Sequence, residues 1–410
     1  MELLWALFLG VVGVAATAFA LLFSWAVYYD FSRTRVPPGL AHPWKLRLIH
    51  WVFIMIITAG EICELLGLCR QVAVVRFITE LRRTRLDPSL FSKDLHFDGV
   101  PVRVYYPKAP SAGLRRGLVF CHGGSGMFGS IALYQNICNV IAKEADLVLV
   151  SVGYRLAPEH PYPTQYQDCL TATLYFLQNT NAYGVDPSQV IIGGDSAGGN
   201  FASVVTQKLV GRTDVPKLRA QVLIYSGLQA MDFNLPSYQQ NSAIPSLYRD
   251  SVICFGTKYF GKSTSLCDDI LKGSHVPDEM RLKYGKWVSA DNIPERFKRR
   301  GYQQVPLAPY KPEVYRQFPE LLEVTFSSLF TEDSVIRQLP ETLIVSCEYD
   351  VLRDDSLLYK KRLEDSGVRV SWFHAEYGVH GVLNTCNAGF LTFSTAIEIL
   401  DKVVDFVKSL

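Results

Sequence analysis

Gly194-Asp195-Ser196-Ala197-Gly198 follows the apolar run Val190–Ile192 and leads directly into a helix-like stretch, Ala197–Val210. A strand that turns sharply into a helix needs small residues on both sides of the turn so that the serine can project. The amino terminus of the following helix then aims the positive end of its dipole at developing negative charge. A bare G-x-S-x-G pattern recurs by chance, so the weight lies in the strand before it and the helix after it. Ser196 is the candidate nucleophile, and the N–H of Ala197 is a candidate donor to an oxyanion.

Outward from this turn, short β-rich runs alternate with helix-like stretches. The runs are Gly117–Phe120, Leu147–Val152, Val190–Ile192, Gln221–Tyr225, Thr342–Cys347 and Arg369–Phe373. Strands this apolar are buried on both faces, which predicts an α/β fold with a mostly parallel sheet and helices on both sides. Ile397, Leu400, Val404 and Val407 share one face of a final helix that should pack on the sheet. Between about 228 and 339 the strand pattern lapses into a proline-punctuated segment that reads as a cap insertion. The expected organisation is a membrane anchor over 1–30, linker and cap helices over 31–99, and a catalytic region over 100–410.

Upstream, His122-Gly123-Gly124-Ser125 follows the first of these runs. Glycines allow a tight turn that brings backbone N–H groups to about 3 Å from a tetrahedral oxygen. Gly123, Gly124 and Ala197 are the expected oxyanion donors, and His122 is expected to hold the loop rather than act as a base. Downstream, Asp350 lies just past the run Thr342–Cys347, where a carboxylate faces the site-building edge of an open sheet. Glu348, Asp354 and Asp355 are rivals, and Asp354 or Asp355 could equally cap a helix starting near Ser356. Of the two later histidines, His374 falls in or beside a strand, while His380 sits in the loop Gly378-Val379-His380-Gly381 and can reach the serine. The order Ser196, Asp350, His380 suits the nucleophile turn.

Charge excludes little except nucleic acid: 41 basic residues oppose 39 acidic ones, for a net +2. The nine cysteines form neither a C-x-x-C pair nor a cluster with histidine, so no metal site is expected. No metal or organic cofactor is required by the chemistry above. The uncharged run from Leu3 to Tyr29 is long enough, as a helix, to cross a roughly 30 Å hydrocarbon core. It outruns a signal-peptide core and lacks the basic leader, so it reads as an uncleaved anchor in the bilayer. Arg33, Arg35, Lys45 and Arg47 follow it, which by the positive-inside rule alone would leave the rest of the chain cytosolic. In the apolar stretch Trp51–Leu68, Glu61 and Glu64 argue against a second span and for a cap or interfacial helix.

These residues resemble the hormone-sensitive-lipase group of α/β-hydrolases and, within it, the arylacetamide deacetylase-like proteins. The resemblance rests on H-G-G-S-G-M-F-G-S at His122–Ser130, Y-R-L-A-P-E-H-P-Y-P at Tyr154–Pro163, the G-D-S-A-G turn, D-V-L-R-D-D at Asp350 and His380-Gly381. It implies an α/β-hydrolase fold and a Ser196–His380–Asp350 triad cleaving carboxylic esters, or amides, of small or lipid-like substrates. It also implies a single-pass protein of the endoplasmic reticulum with a lumenal catalytic region, against the charge rule. Ser125 departs from the family's third glycine, and Gly126 stands where relatives often carry tryptophan. The rival expectation is a catalytically impaired relative that keeps the fold to bind lipid.

Overall fold

A computed structural model describes residues 1–40, 42–82 and 84–410. The chain divides into two units, Met1–Arg82 with Ala243–Ser246, and Arg83–Ser242 with Leu247–Leu410.

The first unit holds helices α1 (Glu2–Arg33), α2 (Pro43–Leu65) and α3 (Gln71–Glu80). By length and composition alone, α1 and α2 are each apolar enough to cross a membrane, and none of the most apolar window of α1 is buried in protein. Glu61 and Glu64 lie in the last turns of α2 and hold the first residue of α3: Gln71 N donates to Glu64 Oε2 at 3.0 Å, and Gln71 Nε2 to Glu61 Oε1 at 3.1 Å. Near the end of α1, the buried Asp30 accepts from Thr34 Oγ1 at 2.8 Å and Trp51 Nε1 at 3.0 Å, meets His50 Nδ1 at 2.7 Å and pairs with Arg47. A buried carboxylate is tolerated only with such partners.

The second unit is built on one eight-stranded sheet in the order β1-β2-β4-β3-β5-β6-β7-β8. Its strands are β1 (Leu90–Phe97), β2 (Val100–Pro107), β3 (Arg115–Cys121), β4 (Val148–Val152), β5 (Val185–Asp195), β6 (Ala220–Ile224), β7 (Glu341–Tyr349) and β8 (Val370–Val379). The pairs β1–β2 and β2–β4 are antiparallel, and every later pair is parallel. Strands β4 to β6 are buried along much or all of their length, as sheets covered on both faces require. Each of the six runs read from sequence is a strand. The sheet nevertheless starts earlier than residue 100, because β1 precedes that boundary and pairs with β2 along its whole length.

Helices α4 (Gln135–Glu144), α5 (Thr164–Gln178) and α6 (Ala197–Leu209) link the central strands. From β3 the chain crosses to β4 on one side, and from β5 it crosses to β6 on the other. The crevice where connections diverge, beyond the carboxyl ends of the strands, is where open α/β sheets bind ligands. Between β6 and β7 lie the short helices α7 (Pro236–Gln240), α8 (Arg249–Tyr259), α9 (Cys267–Leu271), α10 (Asp278–Tyr284), α11 (Pro312–Gln317) and α12 (Asp333–Ile336). Helix α13 (Arg353–Asp365) follows β7, and α14 (Ser394–Ser409) closes the chain. The buried face of α14 runs through Ile399, Leu400, Val403, Val404 and Val407, whereas Ile397 is turned out, contrary to the face read from sequence.

Candidate active site

Strand β5 ends at Asp195 and α6 begins at Ala197, so Ser196 alone makes the turn, with φ 53° and ψ −124°. A non-glycine residue held there stores strain, and only tight packing around it keeps it in place. That packing depends on two glycines. A Cβ on Gly194 would stand 2.4 Å from Cys121 O, and one on Gly198 would stand 2.1 Å from the same oxygen. The turn therefore sits directly against the end of β3, and the loop that leaves β3 is the His122–Ser125 segment.

The sequence places Ser196, Asp350 and His380 far apart, and the fold brings them into one line. Ser196 Oγ lies 2.9 Å from His380 Nε2, and His380 Nδ1 lies 2.8 Å from Asp350 Oδ2. Asp350 is buried, its Oδ1 accepts Leu352 N at 2.8 Å, and its carbonyl accepts Asn241 Nδ2 at 2.8 Å. This leaves one carboxylate oxygen to orient the imidazole.

The rival residues have other partners. Asp354 accepts Ser237 N at 2.6 Å and Arg353 Nε at 2.9 Å. Asp355 accepts Leu228 N, Gln229 Nε2 and Tyr238 OH at 3.0, 3.0 and 3.2 Å. Both lie in the first turn of α13, which starts before the position expected for them to cap. His374 makes a second line, with Nδ1 3.0 Å from Ser346 Oγ and Nε2 3.1 Å from Glu348 Oε2. Burial works to raise the Glu348 carboxyl, but His374, Arg353 and Arg300 together hold it below its usual range. Ser346 is fully buried and its hydroxyl also takes the Trp372 N–H at 3.0 Å, so no substrate reaches it.

One expected oxyanion donor is otherwise engaged. Gly123 N donates to Asp195 Oδ1 at 2.8 Å and to Tyr134 OH at 3.1 Å, so its amide is not available to an oxyanion. Among the described residues no acceptor takes the amides of Gly124, Ser125 or Ala197, and Ser125 and Ala197 line the same cavity as Ser196. Ser125 adopts φ 55°, the left-handed conformation that a glycine at this place supplies without strain. His122 is a loop anchor: Tyr154 OH donates to its carbonyl at 2.7 Å, its Nδ1 lies 2.8 Å from Gly123 O, and burial pushes its imidazole down to about 4.

Sequence reasoning passed over Asp195, whose carboxylate also accepts from Tyr134 OH at 3.0 Å and Tyr225 OH at 3.1 Å. The available signal was an acidic residue at the x position of G-x-S-x-G, directly before Ser196.

A cavity of about 120 Å³ opens at Ser196, walled by Phe201, Phe233, Tyr259, Ile270, Phe326 and Leu352 among others. Two of its polar side chains are engaged by the protein: Asn200 Nδ2 donates to the carbonyls of Gly227 and Phe326 at 2.7 Å each, and Thr257 Oγ1 to Cys254 O at 3.0 Å. Most of what faces the space is hydrocarbon.

A family model described as alpha/beta hydrolase fold matches residues 118–272 and 309–384. Human arylacetamide deacetylase-like 4 is 45% identical, with 95% of this chain and 96% of that one aligned. Bovine arylacetamide deacetylase is 38% identical over 85% of this chain and 89% of its own. Among solved structures, the thermostable carboxylesterase EstE1 from a metagenomic library superposes with TM-score 0.59 at 25% identity, over 82% of this chain and 94% of that one. A Pyrobaculum calidifontis esterase, 24% identical with TM-score 0.61 over 82% and 92%, shares the fold. With Ser196 in a sharp strand-to-helix turn at the switch point of a mostly parallel sheet, the chain belongs to the arylacetamide deacetylase-like proteins of the hormone-sensitive-lipase group, hydrolases of the α/β-hydrolase fold.

Proposed function

We propose that this chain is a membrane-anchored serine hydrolase that cleaves carboxylic esters, and amides of similar shape, through an acyl-enzyme on Ser196. The observation that carries this reading is the unbroken line from Ser196 Oγ to His380 at 2.9 Å and from His380 to Asp350 at 2.8 Å. His380 Nε2 takes the hydroxyl proton as Ser196 Oγ attacks the carbonyl carbon, and Asp350 holds the imidazole and stabilises its charged form. The tetrahedral oxygen is received by the amides of Gly124, Ser125 and Ala197, a set in which Ser125 replaces Gly123. Each such donor is worth about 10²- to 10³-fold in rate. Collapse breaks the bond to the alcohol or amine, which leaves with the proton from His380. Water then attacks the acyl-enzyme, gives its proton to His380, and releases the acid and free Ser196.

The apolar cavity takes the acyl part. An engineered protein cavity of about 150 Å³ holds benzene, so on the order of four to six carbons fit in the roughly 120 Å³ here. Longer chains must extend toward its opening. The apolar helix α1 is assigned as the anchor, with the catalytic unit on the lumenal side of the endoplasmic reticulum. The test is hydrolysis of a graded p-nitrophenyl ester series by membranes carrying the protein or Ser196→Ala. Activity confined to the native protein, greatest on short to medium acyl chains, is expected. Equal rates from both would remove Ser196 from the reaction.

A further inference from the structure

We propose that Asp195 is a positioning residue that locks the loop bearing two oxyanion donors to the turn bearing the nucleophile and the third. The proposal rests on the serine mechanism above and adds to it the part that sets the distance between its two halves.

The geometry joins both sides of the site through one carboxylate. Asp195 immediately precedes Ser196, and Gly123 immediately precedes Gly124, so a bond between Asp195 and Gly123 fixes the two neighbouring segments together. Asp195 Oδ1 receives the Gly123 amide at 2.8 Å, and Oδ2 receives Tyr134 OH at 3.0 Å and Tyr225 OH at 3.1 Å. Tyr134 OH also accepts from the Gly123 amide at 3.1 Å, which closes a triangle of Asp195, Gly123 and Tyr134. The approach is so close that a Cβ on residue 123 would lie 2.8 Å from Asp195 Oδ2. The amide of Gly123 is consumed in this clamp, and the amides that follow it along the chain are the ones left for substrate.

The third partner reaches the base. The ring of Tyr225 stands edge-on to the His380 imidazole with centroids 5.1 Å apart. No lysine or arginine pairs with Asp195 among the described residues. The residue is 1% exposed, and burial pushes its pKa up to about 6, with Tyr134, Gly123, Tyr225 and the charge of His380 all acting the other way. A buried acid kept without a cation, and spent wholly on two tyrosines and one loop amide, is an arrangement that a loop needing only to be filled would not require.

The experiment compares full-length protein in membranes with Asp195→Ala, Asp195→Asn and Tyr134→Phe, each normalised to the number of serines labelled by a fluorophosphonate. Two readouts are taken: kcat and KM on a p-nitrophenyl ester, and affinity for a trifluoromethyl ketone, whose adduct with Ser196 carries an oxyanion. Asp195→Ala is expected to lower kcat by about 10²-fold, in line with loss of a positioned donor. KM should stay within about twofold, and ketone affinity should fall by the same factor as kcat. Asp195→Asn keeps an acceptor for the Gly123 amide and is expected to recover most of the loss. Tyr134→Phe, which keeps the packing, is expected to lose about tenfold in both readouts, the size of one hydrogen bond. If Asp195→Ala does not fold, Tyr134→Phe decides. Variants whose kcat and ketone affinity stay within twofold of native, or whose kcat falls without a matching fall in ketone affinity, overturn the assignment. A native protein that neither labels nor binds the ketone overturns the serine mechanism with it.

Discussion

A side chain at Gly126 would place its Cβ 2.4 Å from the ring of Tyr259. The last residue of α8 thus packs on the loop that begins at His122 and, from there, walls the cavity that opens at Ser196. Tyr259 is nearly fully buried, so its removal both enlarges the cavity and costs stability. Tyr259→Ala is predicted to shift the preferred acyl chain toward longer esters while destabilising the protein by about 3 to 5 kcal/mol, as large aromatic truncations do. The p-nitrophenyl series and the thermal midpoint, measured on the same variant, check both halves.

Ser125 departs from glycine at a position with φ 55°, and the role proposed for it rests on its backbone amide. Ser125→Gly is therefore predicted to keep kcat within about threefold and to leave stability unchanged or raise it by up to about 1 kcal/mol. Relief of left-handed strain is offset there by the greater freedom of the unfolded chain. Gly198→Ala is the contrasting case, because its Cβ would stand 2.1 Å from Cys121 O. Activity per labelled serine should fall by at least 10²-fold, since a displacement of about 1 Å at the reacting atoms costs that much.

Acid should destabilise the catalytic unit through two histidines held neutral. Burial lowers His122 and His275 to about 4 each, and the neutral ring of His275 meets Ala230 O at 2.7 Å. Their folded pKa lies below the unfolded value, so the unfolded state takes up protons first and stability falls as pH drops from about 6.5 toward 4. Each contributes about 2 kcal/mol of loss by pH 5 and about 3 kcal/mol by pH 4. Urea midpoints at pH 7 and pH 5 measure the drop, and His275→Gln should reduce it by about 2 kcal/mol. An equal drop in that variant would remove His275 from the account.

Most of the strands read directly from sequence are buried on both faces, where an apolar run is an unambiguous signal, and only the edge strand β8 is half-buried over the run that was read. Strand β1 was not legible because only its ends are buried and Lys93, Asp94 and His96 lie between them. It takes its place from pairing with β2, which a local pattern does not reveal. The Ser196–His380–Asp350 line was legible because motif and chain order point to the same three residues. The loss of Gly123 as a donor was not, since its amide is taken by a carboxylate 72 residues away. Ile397 was misassigned for a smaller reason: the buried stripe of α14 passes through Ala396 and Ile399, about one residue round from the face chosen.

The orientation assigned to the catalytic unit has a direct reporter, because the natural sequence contains no Asn-x-Ser/Thr site. Ala112→Asn with Leu114→Thr creates one in an exposed turn between β2 and β3. Expressed in mammalian cells, the double variant should gain one glycan removable by endoglycosidase H if the unit is lumenal. An unshifted band from inserted, folded protein would place the unit in the cytosol, as the basic residues after α1 suggest on their own.

Two serines lie in line with a histidine and a carboxylate: Ser196, which opens on the cavity, and Ser346, which is buried under Trp372. Peptide mapping by mass spectrometry after fluorophosphonate treatment of the native protein separates them in one experiment. The account predicts a single adduct on the peptide carrying Ser196, abolished in Ser196→Ala and unchanged in Ser346→Ala. Folded protein that carries no adduct at Ser196, or that carries it at Ser346, would contradict it.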